Sequence, residues 1–146
     1  MATIDEILEE WEKDATIDDN HIDSESIKVP KLHSKYLKHL SQAKLSLVKK
    51  NNDYSALKKI KFRYYRGELT KDELIQYNWN QWQGVKPIKS ELETLLEGDN
   101  DIIKIKNSIS LIETKIYVLE SILGQIKARD WQIKSVIEWK KFLAGA

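Results

Sequence analysis

The chain of 146 residues contains no cysteine, only two prolines and five glycines, and no long uninterrupted apolar run. Without cysteine it can form no disulfide, no thiol nucleophile and no zinc or iron–sulfur site built on thiolates. So little proline and glycine argues against a disordered chain, a collagen-like chain and a turn-rich all-β fold. The short apolar runs leave no transmembrane helix, and the acidic N-terminus does not match a signal peptide. We therefore expect a cytosolic, largely helical protein.

The net charge of +1 conceals a strong segregation of charge along the chain. Residues 1–27 carry ten acidic residues against Lys13 alone, whereas residues 28–66 carry twelve lysines and arginines against Asp53 alone. Residues 67–101 are acidic again. The basic block indicates a site for a polyanion, with the acidic block as a partner surface or an internal competitor. Complementary helix faces that attract one another are the alternative explanation.

Capping residues and the spacing of apolar side chains predict the helices of the first half of the chain. Thr3 and Glu6 form a capping box that opens a first helix. The polar segment 16–26 lacks periodicity and is interpreted as a connector. Pro30 suits the first turn of a long basic helix, in which residues 51–53 are the most favourable place for a break.

Shorter helices and one strongly periodic helix are predicted for the second half. Gly67 ends the long helix, and capping boxes that begin at Thr70 and Ser90 open two short helices. Residues 102–126 then follow a heptad repeat, and residues 128–143 form a last amphipathic helix.

The heptad repeat is apolar at all of its seam positions, which predicts an oligomerisation helix. Isoleucine at both kinds of seam position disfavours a simple dimer and favours a higher-order assembly. The predicted oligomerisation residues are Ile102, Ile105, Ile109, Ile112, Ile116, Leu119, Leu123 and Ile126.

The sequence has no motif for catalysis or nucleotide binding. The phosphate-binding pattern GxxxxGK[ST] and the dinucleotide-binding pattern GxGxxG are both missing. The three histidines are too scattered for a metal site, and the helix dipole explains the acidic residues at helix starts. We therefore predict a protein that is not an enzyme and has no catalytic residues, metal or cofactor.

Residues 57–67 combine closely spaced cations with aromatic side chains. Cations neutralise phosphates and aromatic faces stack on unpaired bases, so this combination favours a single strand over a duplex. Tyr64 continues the apolar spacing and is assigned to the core, whereas Tyr65 is assigned to the DNA. The alternative is that Phe62 and one tyrosine are core residues and that the cations form a solvated face. The predicted DNA-binding residues are Lys58, Lys59, Lys61, Arg63, Tyr65 and Arg66.

The same segment resembles the basic, double-tyrosine, glycine-terminated motif of the UvsY family of phage recombination mediator proteins. The order of the elements and the length of the chain also agree with that family, so the resemblance covers nearly the whole chain. The other matching stretches are Trp11-Glu12-Lys13-Asp14, Ile17-Asp18, Ser34-Lys35-Tyr36-Leu37, Ile126-Lys127-Ala128-Arg129, Ile133-Lys134 and Phe142-Leu143-Ala144-Gly145.

This resemblance implies a mediator of homologous recombination that binds single-stranded DNA, a RecA-like recombinase and the phage single-strand-binding protein. Such a protein helps the recombinase displace the binding protein and nucleate a filament, without nucleotidase activity of its own. The resemblance also implies a homo-oligomeric ring of six or seven subunits, assembled largely through the C-terminal part, in the cytoplasm of the infected host cell. The two basic residues that carry DNA binding in the family motif correspond to Lys59 and Lys61.

The predicted fold is all-α: a helical bundle with one long basic helix and a C-terminal heptad-patterned oligomerisation helix. Residues 1–101 are expected to form the helical DNA-binding region and residues 102–146 the helical oligomerisation region, within one continuous domain. The alternative function is that of a structural or adaptor coiled-coil protein whose basic helix docks an acidic protein partner.

Overall fold

The computed structural model describes residues 1–145, in which six α-helices account for all of the regular secondary structure. The all-α prediction is therefore confirmed. None of these helices combines the length and the apolar character that crossing a bilayer requires. The helices are α1 (Ile4–Asp14), α2 (Ile22–Tyr65), α3 (Lys71–Tyr77), α4 (Lys89–Glu97), α5 (Asn100–Lys127) and α6 (Arg129–Leu143).

Local sequence determines several of the helix ends. The hydroxyls of Thr3 and Thr70 accept hydrogen bonds from the backbone amides three residues later, and both capping boxes are complete. Gly67 adopts a left-handed backbone with φ of +72° directly after α2. The amide of Glu68 then donates to the carbonyl of Arg63 over 2.9 Å, which satisfies a terminal carbonyl of the helix. These predicted ends are confirmed.

Two expectations about the long helix α2 are wrong. Residues 22–26 belong to the helix rather than to a connector, so Pro30 lies inside α2 and not in its first turn. A proline there removes one backbone hydrogen bond, but Val29 and Leu32 on either side of it pack against a buried core. The helix does not break at residues 51–53, the most favourable place for an interruption, but continues to Tyr65.

The fourth helix begins earlier than its predicted capping box. Ile88 is the N-cap residue of α4, and Ser90 therefore lies within the helix. The backbone amide of Ile88 donates to the Glu91 carboxylate over 3.2 Å. The acidic half of the box is thus supplied by Glu91 and not by Glu93, and the predicted box at Ser90 is wrong.

The chain divides into two compact units, a terminal unit of residues 1–46 and 112–146 and a central unit of residues 47–111. This division differs from the predicted boundary after residue 101, because α2 and α5 each contribute to both units. The core of the terminal unit joins α1, α2 and α5. Its buried members are Ile7, Tyr36, Leu40, Ala43, Leu119, Ile122, Leu123 and Ile126.

Opposite charges pair inside the terminal unit. Lys35 of α2 lies 2.8 Å from the Glu10 carboxylate and 2.7 Å from the Asp14 carboxylate of α1. The Tyr36 hydroxyl donates to the same Asp14 carboxylate over 2.8 Å. Part of the segregated charge is therefore used to attach the acidic α1 to the basic α2, as the alternative explanation of the charge pattern expected.

A buried ion pair attaches α6 to the terminal unit. Arg129 is only 2% exposed, and its Nη2 lies 3.3 Å from Oε2 of Glu25, which is 4% exposed. The same guanidinium donates to the backbone carbonyls of Ala15 and Thr16. Burial acts to raise the pKa of Glu25, but the Lys28 and Arg129 cations hold that pKa below its usual range.

Four residues of the predicted oligomerisation seam are buried within the single chain. Ile102 is buried in the central unit, and Leu119, Leu123 and Ile126 are buried in the terminal unit. Their burial leaves these four side chains no surface to offer a second chain. The remaining seam residues are only partly buried: Ile105, Ile109, Ile112 and Ile116.

Replacing Arg129 should test the buried ion pair. Arg129→Met leaves the Glu25 carboxylate buried with Lys28 as its only cationic partner. The free energy of unfolding should fall by about 3 kcal/mol, which is near the lower end of the range for breaking a buried ion pair. The measurement is urea unfolding followed by circular dichroism. Lys134→Met, which removes an exposed lysine of the same helix, is the control and should unfold as the wild type does.

The pH dependence of the same variant checks the sign of the effect. Because the folded pKa of Glu25 is lowered, the pair stabilises the fold above the ordinary pKa of glutamate and ceases to do so as the pH falls through the lowered value. The stability difference between Arg129→Met and the wild type should therefore shrink in acid. A difference that stays constant down to acid unfolding would contradict this assignment.

Candidate nucleic-acid interface

The Asp99 carboxylate organises the central unit. Its Oδ1 accepts hydrogen bonds from the backbone amides of Asp101 over 2.9 Å and Ile102 over 3.1 Å, and so caps the start of α5. Its Oδ2 accepts a hydrogen bond of 2.6 Å from the Tyr65 hydroxyl and lies 3.1 Å from Nζ of Lys61. One carboxylate therefore connects the end of α2 to the beginning of α5.

The ammonium of Lys61 is enclosed by this arrangement. The residue is only 5% exposed, and its Nζ lies 2.8 Å from a carboxylate oxygen of Asp101 as well as close to Asp99. The same Nζ lies 3.9 Å from the centre of the Trp79 ring, within the range of a cation–π contact. Lys61 is thus satisfied by two carboxylates and an aromatic face of its own chain.

The ionisation states of the buried groups suit this network. Burial acts to raise the pKa of Asp99, but hydrogen bonds from Tyr65 and the Ile102 amide, together with Lys61, hold that pKa below its usual range. Burial and the Asp99 acceptor raise the pKa of Tyr65. The carboxylate is therefore charged and the phenol neutral at pH 7, which is the combination that the hydrogen bond requires.

The expectation that Tyr65 faces the solvent is wrong. Tyr65 is 8% exposed and packs with Leu92 and Leu96 of α4. Tyr64 is also held inside the unit, since its ring packs against this cluster and its hydroxyl donates to the carbonyl of Asn80 over 2.5 Å. Neither tyrosine therefore offers an open ring face at this surface.

The exposed aromatic residue of the segment is Phe62, which is 39% exposed. Lys58, Lys59 and Arg66 are exposed on the same stretch of α2. The Arg66 guanidinium lies 5.3 Å from the centre of the Phe62 ring, and its Nε lies 3.2 Å from the Glu68 carboxylate. The alternative explanation of this segment is therefore wrong about Phe62, although it correctly placed one tyrosine in the core.

Arg63 lies at the margin of this surface. Its two terminal nitrogens donate to the two carboxylate oxygens of Glu73 over 2.9 and 3.1 Å, which is a bidentate pair between α2 and α3. The pair lowers the pKa of Glu73. Arg63 is thus oriented by its own chain, although its side chain is still about one-third exposed.

Phe62 lies between two grooves of the central unit. The first groove has a volume of about 470 Å³ and the second about 340 Å³, and the Phe62 ring contributes to both. Lys58 and Lys59 line the first, and Arg66 with two further lysines lines the second. The full linings are Ser55, Lys58, Lys59, Phe62, Arg63 and Glu68 for the first, and Phe62, Arg66, Lys86, Pro87, Lys89 and Leu92 for the second.

Sequence reasoning missed Lys86 and Lys89. Both lie in the acidic stretch 67–101, whose excess of carboxylates hides them in any average over the segment. Their short spacing on either side of Pro87 was the local pattern that could have identified them. Both lysines line one groove with Arg66 because Leu92 of α4 packs against Tyr65 of α2. The spacing of residues along the chain does not predict that contact.

The chemistry of this surface is that of a nucleic-acid interface. Lysines and arginines neutralise phosphates, and an exposed aromatic ring between them can stack on an unpaired base. No group of three or more acidic or histidine side chains arranged to hold a metal ion occurs within residues 1–145. The exposed cations and the Phe62 ring on this all-helical fold are therefore a candidate nucleic-acid interface.

Comparison with known proteins identifies the family. The model of the family described as "Recombination, repair and ssDNA binding protein UvsY" matches residues 10–146. The chain therefore belongs to the UvsY family, and the resemblance drawn from its motifs is confirmed.

Individual relatives agree with this assignment along the whole chain. The recombination protein uvsY of Enterobacteria phage T4 is 26% identical over 142 residues, which is 97% of this chain and 98% of that protein. A crystal structure of the phage T4 recombination mediator protein UvsY superposes with a TM-score of 0.83 at 25% identity, covering 99% of both chains. A crystal structure of the same protein in another lattice type superposes with a TM-score of 0.79 at 26% identity, covering 92% of this chain and 96% of that chain.

Substitutions of two neighbouring lysines should separate the buried cation from the exposed one. Lys61→Met removes the cation from Asp99 and should lower the free energy of unfolding by about 3 kcal/mol, as for other broken buried pairs. Lys59→Met removes a cation from the solvent side of the same helix turn and should change stability by less than about 0.5 kcal/mol. Urea unfolding monitored by tryptophan fluorescence measures both. Equal stabilities for the two variants would contradict the assignment of Lys61 to the interior.

Proposed function

We propose that this protein is a recombination mediator that binds single-stranded DNA through the exposed face of α2 formed by Lys58, Lys59, Phe62 and Arg66. In this role it promotes the loading of a RecA-like recombinase onto DNA covered by single-strand-binding protein. Membership of a family described by recombination, repair and single-strand binding supports the proposal. The observation that carries the site is the exposed Phe62 ring among unburied cations.

The geometry suits a single strand better than a duplex. Lys58 and Lys59 are exposed on α2 and make no ion pair within residues 1–145, so they would contact phosphates without breaking a salt bridge. The one aromatic contact of Lys58 is long, since its Nζ lies 6.0 Å from the centre of the Tyr54 ring. The Phe62 ring would stack on a base, and a duplex keeps its base faces covered by the neighbouring pairs. Stacking requires no particular base, so the surface should accept strands of many sequences.

The six residues predicted from the sequence divide into three roles under this proposal. Lys58, Lys59 and Arg66 would contact the strand directly. Lys61 and Tyr65 would hold α2 in place from the inside through Asp99. Arg63 would border the site while it remains paired with Glu73.

A mediator of this kind needs no chemistry of its own. Binding several phosphates would compete with the single-strand-binding protein for the same strand, and the recombinase would extend onto the DNA that is released. We infer that the protein acts without a nucleotide cofactor, without catalysis and in the cytoplasm of the infected host cell.

Oligonucleotide binding tests the site through two variants with different signatures. Lys58→Ala with Lys59→Ala should weaken binding and reduce the slope of log affinity against log salt by about 1.4, at about 0.7 for each single-strand phosphate lost. Phe62→Ala should cost about 1–3 kcal/mol per stacked base and leave the salt slope unchanged. Fluorescence anisotropy with labelled oligothymidine between low and moderate salt measures both quantities.

The control for this experiment is Lys71→Ala with Lys104→Ala, which removes two exposed lysines of the central unit outside both grooves. It should lose less affinity than the Lys58 and Lys59 variant. If the wild type binds an acidic protein but no oligonucleotide, the adaptor function is correct instead. An unchanged salt slope in a folded Lys58 and Lys59 variant would move the DNA site elsewhere.

We also propose that the protein self-associates, as expected of a ring of six or seven subunits, through apolar surface that the single chain leaves exposed. Trp139 is 60% exposed and Phe142 is 70% exposed, and their rings stack at 5.5 Å on α6. Burying aromatic rings contributes strongly to subunit contacts. Several weak DNA sites in one assembly would bind one strand with high avidity.

Charged substitutions on α6 test the assembly. Trp139→Glu with Phe142→Glu should give smaller particles by light scattering, because burying the carboxylates at a subunit contact is costly. The helical circular dichroism should persist, since both side chains lie outside the core of the single chain. Leu119→Glu is the contrasting variant and should unfold the terminal unit. A native particle mass in the Trp139 and Phe142 variant would show that α6 does not hold the assembly together.

A further inference from the structure

The second groove of the central unit carries two lysines without internal partners. Lys86 and Lys89 are exposed, and neither makes an ion pair or a side-chain hydrogen bond within residues 1–145. Phe62, Pro87 and Leu92 form the apolar part of the same lining. The groove therefore presents free ammonium groups beside an apolar surface.

Three other basic residues of the central unit are already paired with carboxylates. Lys61 is paired with Asp99 and Asp101, Arg63 with Glu73, and Arg66 with Glu68. Lys86 and Lys89 have no carboxylate among the residues that line their groove. Their positive charges remain uncompensated there, so an anionic ligand would gain from both.

The position of Lys89 is also unfavourable for the helix that holds it. Lys89 is the first residue of α4, and a cation at a helix N-terminus faces the positive end of the helix dipole. Arg66 also lines this groove, but its charge is paired with Glu68. A bound anion would relieve the repulsion between Lys89 and the helix dipole, whereas no carboxylate that lines the groove does so.

We propose that the second groove is a nucleotide subsite for the same DNA strand, which would cross α2 over Phe62 with phosphates held on both sides of the ring. The proposal rests on the DNA-binding function proposed above. Lys58 and Lys59 hold the backbone in the first groove, and Lys86 and Lys89 hold it in the second. Pro87 and the Phe62 ring, which are the accessible apolar residues of the second groove, accept the sugar or base between the phosphates.

The shared Phe62 ring favours a nucleic acid over an acidic peptide. A polynucleotide alternates charged phosphates with flat apolar bases along its length, and the two grooves place cations on either side of one exposed aromatic ring. An acidic peptide offers carboxylates without flat rings between them and would use only the cations. The two ligands therefore differ in their dependence on Phe62.

The experiment uses the full-length protein and oligothymidines of increasing length. Lys86→Ala with Lys89→Ala should reduce the salt slope by about 1.4 with long oligonucleotides, since two phosphate contacts are lost. With the shortest oligonucleotide that fills one groove, the affinity of this variant should stay close to that of the wild type. Lys71→Ala with Lys104→Ala is the matched control, and circular dichroism confirms that the exposed substitutions leave the fold intact.

The outcomes separate this inference from the function on which it rests. If the Lys58 and Lys59 variant is weakened while the Lys86 and Lys89 variant matches the control at every length, the second subsite is overturned and the proposed function stands. If neither variant differs from the control, both grooves are overturned and the DNA site lies elsewhere. If the wild type binds no oligonucleotide at all, the proposed function itself fails. If the Lys86 and Lys89 variant loses equal affinity for polyglutamate and oligothymidine, and Phe62→Ala affects neither, the groove binds anions in general and is not a nucleotide subsite.

Discussion

The hydrogen bonds and ion pair of the Asp99 carboxylate are the constraint on which the candidate DNA surface depends. The carboxylate caps α5, accepts from Tyr65 and pairs with Lys61, so it fixes the rotation of the last turns of α2 relative to the start of α5 within the central unit. A helix has 3.6 residues per turn, and fixing two inward residues fixes the outward ones. Because Lys61 and Tyr65 point inward, Phe62 and Arg66 point to the solvent.

The fold was predictable from the sequence wherever local rules decide the outcome. The capping boxes at Thr3 and Thr70 and the left-handed Gly67 depend on residues a few positions apart, and all three were found where expected. The boundary errors have distant causes. Residues 22–26 are helical in a unit where Glu25 meets Arg129, a partner more than a hundred positions later in the chain, and no local pattern contains that contact.

The site was less predictable because a lysine occupies an inward position of α2. Leu57, Lys61 and Tyr65 follow one another at intervals of four residues and are more buried than Lys58, Phe62 and Arg66, which are exposed one position later. Because lysine is usually exposed, the sequence pattern placed Lys61 in the solvent. That choice put Tyr64 on the apolar face of the helix and Tyr65 on the face that would contact DNA. Two carboxylates and the Trp79 ring offset the cost of burying that lysine, and they come from α5 and the loop after α3.

The pairing of some cations with carboxylates explains how a chain of net charge +1 can present a strongly cationic surface. Carboxylates of the acidic stretch 67–101 neutralise Lys61, Arg63 and Arg66, so these three cations are compensated within the unit. Lys58, Lys59, Lys86 and Lys89 make no ion pair within residues 1–145 and surround the Phe62 ring. Mean charge is therefore a poor guide to anion binding in this protein, because paired cations hold the helices together and unpaired cations remain for a ligand. Net charge could rise or fall elsewhere in the chain without changing the local potential around Phe62, since exposed charges beyond about 10 Å are largely screened at about 0.1 M salt.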